Sequence, residues 1–209
     1  MTMKSVLFCL PTLVLILLCV VTPTVHASDR SEAEELGEAR LLSACKAPAE
    51  SDAVEVVMDA LADGAHIDVQ DRKTGQTPLM AASLRGKVAI VTYLLEQGAD
   101  VTIGENQGYT PAHGAGFQGR VAIMEALQKH GVDVLHDKHQ DGFLPFHRAC
   151  WGREERHTEV VEYMLDLGID VNIEADDGFA CIDMTRNEKT MELLMKRGSR
   201  EPKANKEEL

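Results

Sequence analysis

The sequence predicts an all-α fold: a helical-repeat solenoid of about four repeats preceded by an N-terminal cap. Two recurring phrases indicate this. The first phrase occurs as GQTPLMAAS at 75–83, GYTPAHGAG at 108–116, GFLPFHRAC at 142–150 and, in degenerate form, GFACIDMT at 178–185. Its leading glycines are 33, 34 and 36 residues apart. The second phrase occurs as VTYLLEQGADV at 91–101, MEALQKHGVDV at 124–134 and VEYMLDLGIDV at 161–171. Segments repeated in register at this period are typical of stacked helical pairs.

The first helix of each repeat is predicted to begin at the proline of the first phrase: Pro78, Pro111 or Pro145. Proline suits the first helical position because its fixed φ matches the helix and its missing N–H is not needed there. Thr77 and Thr110 directly precede two of these prolines, where a hydroxyl caps free backbone N–H groups. Small residues end the phrase, which allows neighbouring helices to approach closely. These small pairs are at 82–83, 115–116 and 149–150.

The second helix of each repeat carries an apolar stripe. Val88, Val91, Leu94 and Leu95 follow a three-and-four spacing, which predicts one buried helix face. A glycine then stands where a left-handed residue would close the helix. These glycines are Gly98, Gly131 and Gly168. Each repeat is therefore predicted to be helix, turn, helix and loop.

The two ends of the repeat stretch are predicted to be caps. Residues 41–46 and 54–69 keep the helix pattern without the Thr-Pro pair, and 190–199 supplies a last second helix after a first helix in which Cys181 replaces proline. Terminal repeats of a solenoid need a polar outer face, so such departures are expected there. The repeat domain is therefore assigned to residues 38–200.

These phrases resemble the ankyrin repeat, whose unit joins a loop, a short helix opened by Thr-Pro-Leu-His, a longer helix ending in Leu-Leu, and a Gly-Ala-Asp-Val-Asn exit. The resemblance implies a concave groove built from the residue after the leading glycine and the two residues after the small pair. The polar rim of this groove would be supplied by Arg85, Gln118, Arg148, Asp176 and Asp177. The predicted partner-binding residues are Leu84, Arg85, Tyr109, Phe117, Gln118, Phe143, Arg148, Trp151 and Phe179.

Aromatic residues are concentrated at these positions. Apart from Phe8, the chain has eight aromatic residues. Five of them lie at two repeated groove positions, which we call columns: the residue after the leading glycine and the first residue after the small pair. Aromatic side chains offer large contact area with little loss of rotamer freedom, and they dominate the energetics of protein interfaces. A row of Leu84, Phe117 and Trp151 would thus present an apolar strip to a partner. The alternative is that some rings fold back onto neighbouring loops and only pack the stack.

The N-terminal segment 1–27 has the plan of a secretory signal peptide. Lys4 provides a positive start, residues 6–21 are nearly all apolar, and Val25-His26-Ala27 offers a cleavage site after Ala27. The alternative is an uncleaved membrane anchor, because about 17 apolar residues is the lower limit for spanning a bilayer. Residues 28–37 are assigned to an acidic linker.

The C-terminal segment 201–209 is predicted to be a charged flexible tail. It ends in Lys206, Glu207, Glu208 and Leu209, which resembles the Lys-Asp-Glu-Leu retrieval signal of the endoplasmic reticulum. An entry signal at one end and a retrieval-like signal at the other together predict residence in the lumen of the endoplasmic reticulum. Secretion is the alternative, since the tetrapeptide alone is also an ordinary polar terminus.

The charge balance bears on the class of partner. The formal net charge is −13, and loss of the leader with Lys4 makes it one unit more negative. Nucleic acid is therefore not expected as a partner, because phosphate binding draws on clustered basic residues. No apolar run of spanning length follows residue 27, so the mature chain is not expected to span a membrane. We expect a monomer that binds a protein partner.

Three cysteines remain after the leader: Cys45, Cys150 and Cys181. An odd count leaves at least one thiol unpaired in an oxidising compartment, and the sequence leaves the pairing open. Cys45 and Cys150 occupy small-residue positions of first helices and are expected to be buried. Cys181, near a loop, is the expected exposed cysteine. No Cys-x-x-Cys is present, which removes the main sequence argument for a disulfide oxidoreductase.

The histidines offer no clear metal or catalytic site. His113 and His147 are motif positions that the family uses for structural hydrogen bonds. His130, His136 and His139 lack the spacing that zinc sites favour. No nucleophile motif, phosphate loop or catalytic triad stands out from the repeat, so no catalytic residue, cofactor or metal is predicted.

The sequence thus predicts a non-enzymatic protein–protein interaction module, a scaffold or adaptor in the lumen of the endoplasmic reticulum. One alternative is a secreted effector of the same fold that binds an extracellular target. Another is a thiol- or metal-dependent enzyme that uses Cys181 or the histidines.

Overall fold

A computed structural model of the chain describes residues 27–48 and 53–203, with side chains from residue 32 onward. The described residues form ten helices. They are α1 (Ala27–Lys46), α2 (Val54–Ala62), α3 (Pro78–Arg85), α4 (Val88–Glu96), α5 (Pro111–Phe117), α6 (Val121–Lys129), α7 (Pro145–Cys150), α8 (Glu155–Asp166), α9 (Cys181–Met184) and α10 (Glu188–Lys196). Within these ranges the only β-type pairing is a single bridge between Glu174 and Ala180.

The helices form a stack of antiparallel pairs, as the repeat period predicts. The odd-numbered helices contact one another in sequence from α1 to α9, and the even-numbered helices do the same from α2 to α10. One continuous apolar core runs between the two layers, from Leu41 to Leu194. The all-α solenoid with an N-terminal cap and four further helical pairs is therefore confirmed.

The starts of the first helices differ between repeats. Thr77 caps α3 as predicted, because its Oγ1 accepts from the Met80 backbone N–H at 3.2 Å. Thr110 does not cap α5: its hydroxyl lies 2.9 Å from His113 Nδ1 and donates to the Asp137 carboxylate. The cap prediction at Thr110 is therefore wrong, because the hydroxyl is turned toward the side chains of Asp137 and His113 and its oxygen accepts no backbone N–H of the first turn.

The small residues at the ends of the first helices are required by close packing. Ala82, Ala115 and Ala149 are fully buried. A Cβ atom added at Gly116 would lie 2.4 Å from the carbonyl oxygen of Pro145 in the next repeat. Neighbouring first helices therefore approach closely enough to exclude even one methyl group at this position.

The cysteines correct one prediction. Cys150 of α7 and Cys181 of α9 form a disulfide, with their Cα atoms 5.5 Å apart. Cys181 is fully buried, so its predicted exposure is wrong: as the first residue of α9, its side chain faces the neighbouring helix rather than the loop. Cys45 is buried and free, and burial raises the pKa of its thiol to about 12.

The terminal segments are described in part. Residues 28–37, predicted as an acidic linker, lie within helix α1, where the described side chains from Glu32 to Leu36 are exposed. The start of the C-terminal tail is bound rather than free, because the Lys203 backbone N–H donates to Asp183 at 2.6 Å and its Nζ donates to Glu174 at 2.8 Å. Almost all of the predicted signal peptide (1–26), and the retrieval-like residues 206–209, lie outside the described residues.

No helix in the described ranges is both long and apolar enough to cross a membrane.

Candidate functional site

Four loops stand in a row beside the first helices, and each is closed in the same way. We call them finger loops 1 to 4; they comprise residues 71–76, 105–109, 139–143 and 175–179. In each, the first residue's N–H donates to the last residue's carbonyl, at 2.9 to 3.1 Å. Each also contains a glycine with φ between 70° and 87°, a left-handed conformation that other residues adopt only with strain. The repeated glycine therefore shapes the loops, as its position in the phrase suggests.

The finger loops are held to one another by hydrogen bonds. The Asn106 side chain donates to the Lys73 carbonyl at 2.8 Å, and its backbone N–H donates to the Thr74 carbonyl at 3.1 Å. His139 Nε2 lies 2.7 Å from the Gln107 carbonyl oxygen. We call the surface formed by these loops and the exposed sides of α3, α5 and α7 the groove. The hydrogen bonds between the loops hold this surface together within the chain itself.

Several rings predicted to line the groove are open to solvent. Phe117, Trp151 and Phe179 are 53%, 40% and 36% exposed. Tyr109 and Phe143 are half-buried, and Phe143 packs against Trp151 with ring centroids 5.1 Å apart. The predicted groove residues thus include three exposed rings and two half-buried rings, of which Phe143 packs against the exposed Trp151. Their role in binding remains a prediction.

Arg148 departs from its predicted position on the polar rim. Only 6% of the residue is exposed. Its guanidinium carbon lies 4.5 Å from the ring centroid of Tyr109, 4.7 Å from that of Phe143 and 4.4 Å from that of Trp151. The prediction of a solvent-facing rim residue is therefore wrong, because three rings from two finger loops and the end of α7 enclose the side chain.

The charge of Arg148 is matched by Asp141 of finger loop 3. Arg148 Nη2 donates to the Asp141 carboxylate and, at 2.8 Å, to the Tyr109 hydroxyl. The Tyr109 hydroxyl in turn donates to Asp141 at 2.8 Å. Partial burial opposes ionisation of Asp141, but hydrogen bonds from His139 and Tyr109, with the charge of Arg148, hold its pKa below the ordinary value. We call Tyr109, Asp141, Phe143, Arg148 and Trp151 the Arg148 cluster.

The motif histidines carry structure, as expected. His113 Nε2 lies 3.2 Å from the Phe143 carbonyl oxygen, and His147 Nε2 lies 3.1 Å from the Ile173 carbonyl oxygen. Each therefore links one repeat to the finger loop region of the next. Burial lowers the pKa of His147, which favours the neutral ring.

The structure separates the three histidines at 130, 136 and 139 and gives each a different partner. His130 bonds its own helix at the Ala126 carbonyl, His136 pairs with Asp133, and His139 is buried against Tyr109 with ring centroids 4.0 Å apart. Across 27–48 and 53–203, no group of three or more metal-ligating side chains is placed to hold an ion. The involvement of His139 in the groove was not predicted, although its position opening a finger loop is visible in the repeat alignment.

A cavity of about 350 Å³ opens in the groove between α3 and α5. Met80, Leu84 and Phe117 form its apolar walls, and Glu105, Gln107 and Tyr109 of finger loop 2 form its polar side. The cavity thus brings together Leu84, Tyr109 and Phe117, which were predicted to line the groove, and Glu105 and Gln107, which were not.

The remaining predicted residues lie around this surface. Arg85 is exposed in the last turn of α3, and Gln118 is half-buried at the end of α5. Asp176 pairs with Lys138 of the preceding repeat. Asp177 accepts from the Phe179 backbone N–H at 3.0 Å, inside its own finger loop.

Comparison with known proteins agrees with this architecture. A family model described as "Ankyrin repeats (3 copies)" matches residues 41–138 and 103–175. The chain is 30% identical over 159 residues to Alpha-latrocrustotoxin-Lt1a of Latrodectus tredecimguttatus, a match that covers 76% of this chain and 11% of that protein. It is 40% identical over 65 residues to Ankyrin repeat and KH domain-containing protein mask-1 of Caenorhabditis elegans, covering 31% of this chain and 2% of that protein. The chain thus spans only a small part of either relative's length.

Proposed function

Because the chain belongs to the ankyrin-repeat family, we propose that it is a non-enzymatic protein-binding module that holds a partner protein in the groove. The observation that carries the proposal is the row of Phe117, Trp151 and Phe179, which are large aromatic side chains kept open to solvent on one surface. Large exposed apolar side chains grouped on one surface mark interaction sites more often than scattered ones do. The matched part of the relatives is too short to carry their whole activities to this chain.

The proposed mechanism is rigid presentation. Hydrogen bonds tie the finger loops to each other, and the Arg148 guanidinium packs against the Trp151 ring. A surface that is ordered before binding loses little conformational freedom when a partner docks, so more of the contact energy appears as affinity. Truncating one well-packed aromatic anchor at an interface typically costs about 2 kcal/mol or more.

The disulfide supports the proposed location in the secretory pathway. Cys150 and Cys181 are paired in the core, and disulfides persist in oxidising compartments such as the lumen of the endoplasmic reticulum. The predicted leader at 1–27 and the Lys206 to Leu209 tail add to this proposal. Secretion remains the alternative, because both locations are oxidising.

A thiol-dependent enzyme is disfavoured by the same observations. Cys181 is bonded to Cys150, and the raised pKa of the Cys45 thiol leaves little reactive thiolate. A secreted effector would use the same groove and would differ only in an inert C-terminal tetrapeptide. The similarity to a protein named as a toxin concerns 11% of that protein, and it supports the repeat scaffold alone.

The binding proposal is tested by cross-linking and mass spectrometry in cells that produce the full-length chain. The variant Phe117→Ala with Trp151→Ala should lose the partners recovered with the wild type. Met195→Ala, which truncates an apolar side chain 48% exposed on α10 and outside the groove, is the matched control and should retain them. Unchanged recovery with the double variant, at equal helical circular dichroism, would refute the groove as the binding surface.

Location is tested separately by removing residues 206–209. If the tail directs retrieval, the shortened chain should appear in the medium while the full chain stays inside the cell. Equal retention of both would contradict retrieval, and secretion of both would favour the secreted alternative.

A further inference from the structure

We propose that the cavity between α3 and α5 receives an arginine or lysine side chain of the partner, with its cationic end at Glu105. This inference rests on the proposed function and specifies the partner chemistry of the same groove. It follows from the shape of the cavity, from the charges around it and from the acidity of the chain.

The apolar wall of the cavity is built around a glycine that the neighbouring repeats lack. Gly114 occupies the place in its phrase that Ala81 and Arg148 occupy in the neighbouring phrases. A Cβ atom at Gly114 would lie 3.0 Å from Met80 Cε and 3.1 Å from Leu84 Cδ2, closer than ordinary contact. Glycine at 114 therefore lets Met80 and Leu84 pack directly against α5. With Phe117 they border the cavity with apolar groups that suit the methylene stem of a long side chain.

Glu105 brings a fixed negative charge to this cavity. One carboxylate oxygen accepts from the Gln107 backbone N–H at 3.1 Å, which holds the side chain within finger loop 2. Among the described residues the Glu105 carboxylate has no ion-pair partner. Arg148 also lines the cavity, but its charge is matched by Asp141. An incoming cation would therefore meet an unmatched carboxylate rather than a completed ion pair.

Other side chains fit this arrangement less well. An acidic side chain would be repelled by Glu105, and an apolar one would desolvate the carboxylate without replacing its hydrogen bonds to water. A guanidinium or ammonium group supplies those bonds and also stacks favourably on aromatic rings such as Tyr109 and Phe117. The net charge of −13 further favours encounter with basic segments.

The test uses a random twelve-residue peptide library displayed on phage, selected against protein purified from cells that produce the full-length chain. We expect enriched peptides to share a basic residue next to apolar ones. An enriched peptide is then synthesised with its basic residue and with a neutral isostere, citrulline for arginine or acetyl-lysine for lysine. Both peptides are titrated calorimetrically against the wild type, Glu105→Gln and Glu125→Gln. Glutamine at 105 keeps an oxygen for the Gln107 bond, and Glu125 is an exposed residue of α6 outside the groove.

The neutral isostere should raise the Kd by about 5- to 10-fold against the wild type and against Glu125→Gln, the range of a well-placed charge-assisted contact. Against Glu105→Gln the two peptides should differ by less than about twofold, because the charge they distinguish is gone. An equal penalty in Glu105→Gln, enrichment of peptides without a basic residue, or no enrichment at all would overturn the inference. If neutral peptides bind and Phe117→Ala abolishes their binding, the proposed function stands and the inference alone fails.

Discussion

Replacing Arg148 with methionine tests whether the Arg148 cluster stabilises the groove. Methionine has a similar length and stays in contact with the rings, so the change removes the charge while limiting the cavity left behind. The wild-type guanidinium lies within 4.7 Å of three ring centroids and pairs with Asp141. Each such ring contact contributes about 0.5 to 1 kcal/mol, and a hydrogen bond between charged groups contributes about 1.5 kcal/mol or more.

These contributions overlap, and the methionine side chain recovers part of the apolar contact. The Asp141 side chain is one-third exposed, so water screens the carboxylate that the substitution leaves behind. We therefore expect Arg148→Met to lower the free energy of unfolding by about 2 to 3 kcal/mol, below the 3 to 5 kcal/mol typical of breaking a fully buried pair.

Urea unfolding followed by circular dichroism measures this loss, and Trp151, the only tryptophan, reports locally by fluorescence. Combining Arg148→Met with Asp141→Asn closes a double-mutant cycle. We expect a coupling energy of about 1 to 2 kcal/mol between two residues in direct contact. A loss below about 0.5 kcal/mol for Arg148→Met, the size of an ordinary surface substitution, would refute a stabilising role for the cluster.

Three further predictions follow from the packing and the charges. Replacing Cys150 and Cys181 with serine should lower the free energy of unfolding by about 3 to 4 kcal/mol, because the disulfide closes a loop of 31-residue separation. Reducing the wild type with dithiothreitol during urea unfolding should cause a similar loss. Equal stability with and without the disulfide would contradict this prediction. Gly116→Ala should cost about 2 kcal/mol or more in the same assay, because its Cβ would meet the Pro145 carbonyl at 2.4 Å; a neutral effect would show that the helices separate freely. The folded-state pKa of Asp141 is lowered, so the contribution of this carboxylate to the free energy of unfolding is present above the unfolded pKa of about 4 and is lost as the pH falls through the folded pKa. Unfolding measured from pH 6 to pH 3 should therefore show a smaller loss of stability in Asp141→Asn than in the wild type. Identical dependence of stability on pH in the two proteins would contradict this prediction.

The repeat phrases predict the fold because each unit buries its apolar side only against its neighbours. The position of proline predicts where α3, α5 and α7 begin, and the second phrase predicts the outer helices. Thr110 shows the limit of local rules. Threonine before proline predicts a cap, but the hydroxyl is turned toward Asp137, from the loop after the next helix, and toward His113. A cap depends on which polar side chains tertiary packing brings close to the hydroxyl, and a local sequence window does not contain all of them.

The candidate site shows the same limit. Columns of the repeat place Phe117 and Trp151 on the groove, and both are exposed. The burial of Arg148 depends on Tyr109, 39 positions earlier in the chain, and on two further rings, so no single column predicts it. Glu105 was missed because it opens finger loop 2, outside the columns that the family uses.

The disulfide, in contrast, could have been deduced from the repeat register. Gly116 ends one first phrase and lies against Pro145, the fourth residue of the next phrase. Cys150 and Cys181 occupy these same two places in the following pair of phrases. Because equivalent positions in a solenoid have equivalent neighbours, the Gly116 to Pro145 approach implies that the two sulfurs lie close together. The sequence contains this signal, but only a comparison of registers between repeats reveals it.

Helix α7 contains both Cys150 of the disulfide and the buried Arg148. It has only six residues, too few for intrahelical bonds to stabilise it by themselves. The Cys150 disulfide holds it to α9, while Arg148 holds it to finger loops 2 and 3. Trp151 directly follows this doubly held segment, so its ring is presented from a fixed base. Amide hydrogen exchange should consequently be slower in α7 than in α5, a helix of similar length without a covalent link, and Arg148→Met should reduce that protection even with the disulfide intact. Equal exchange in the two helices would mean that packing of the repeats alone positions Trp151.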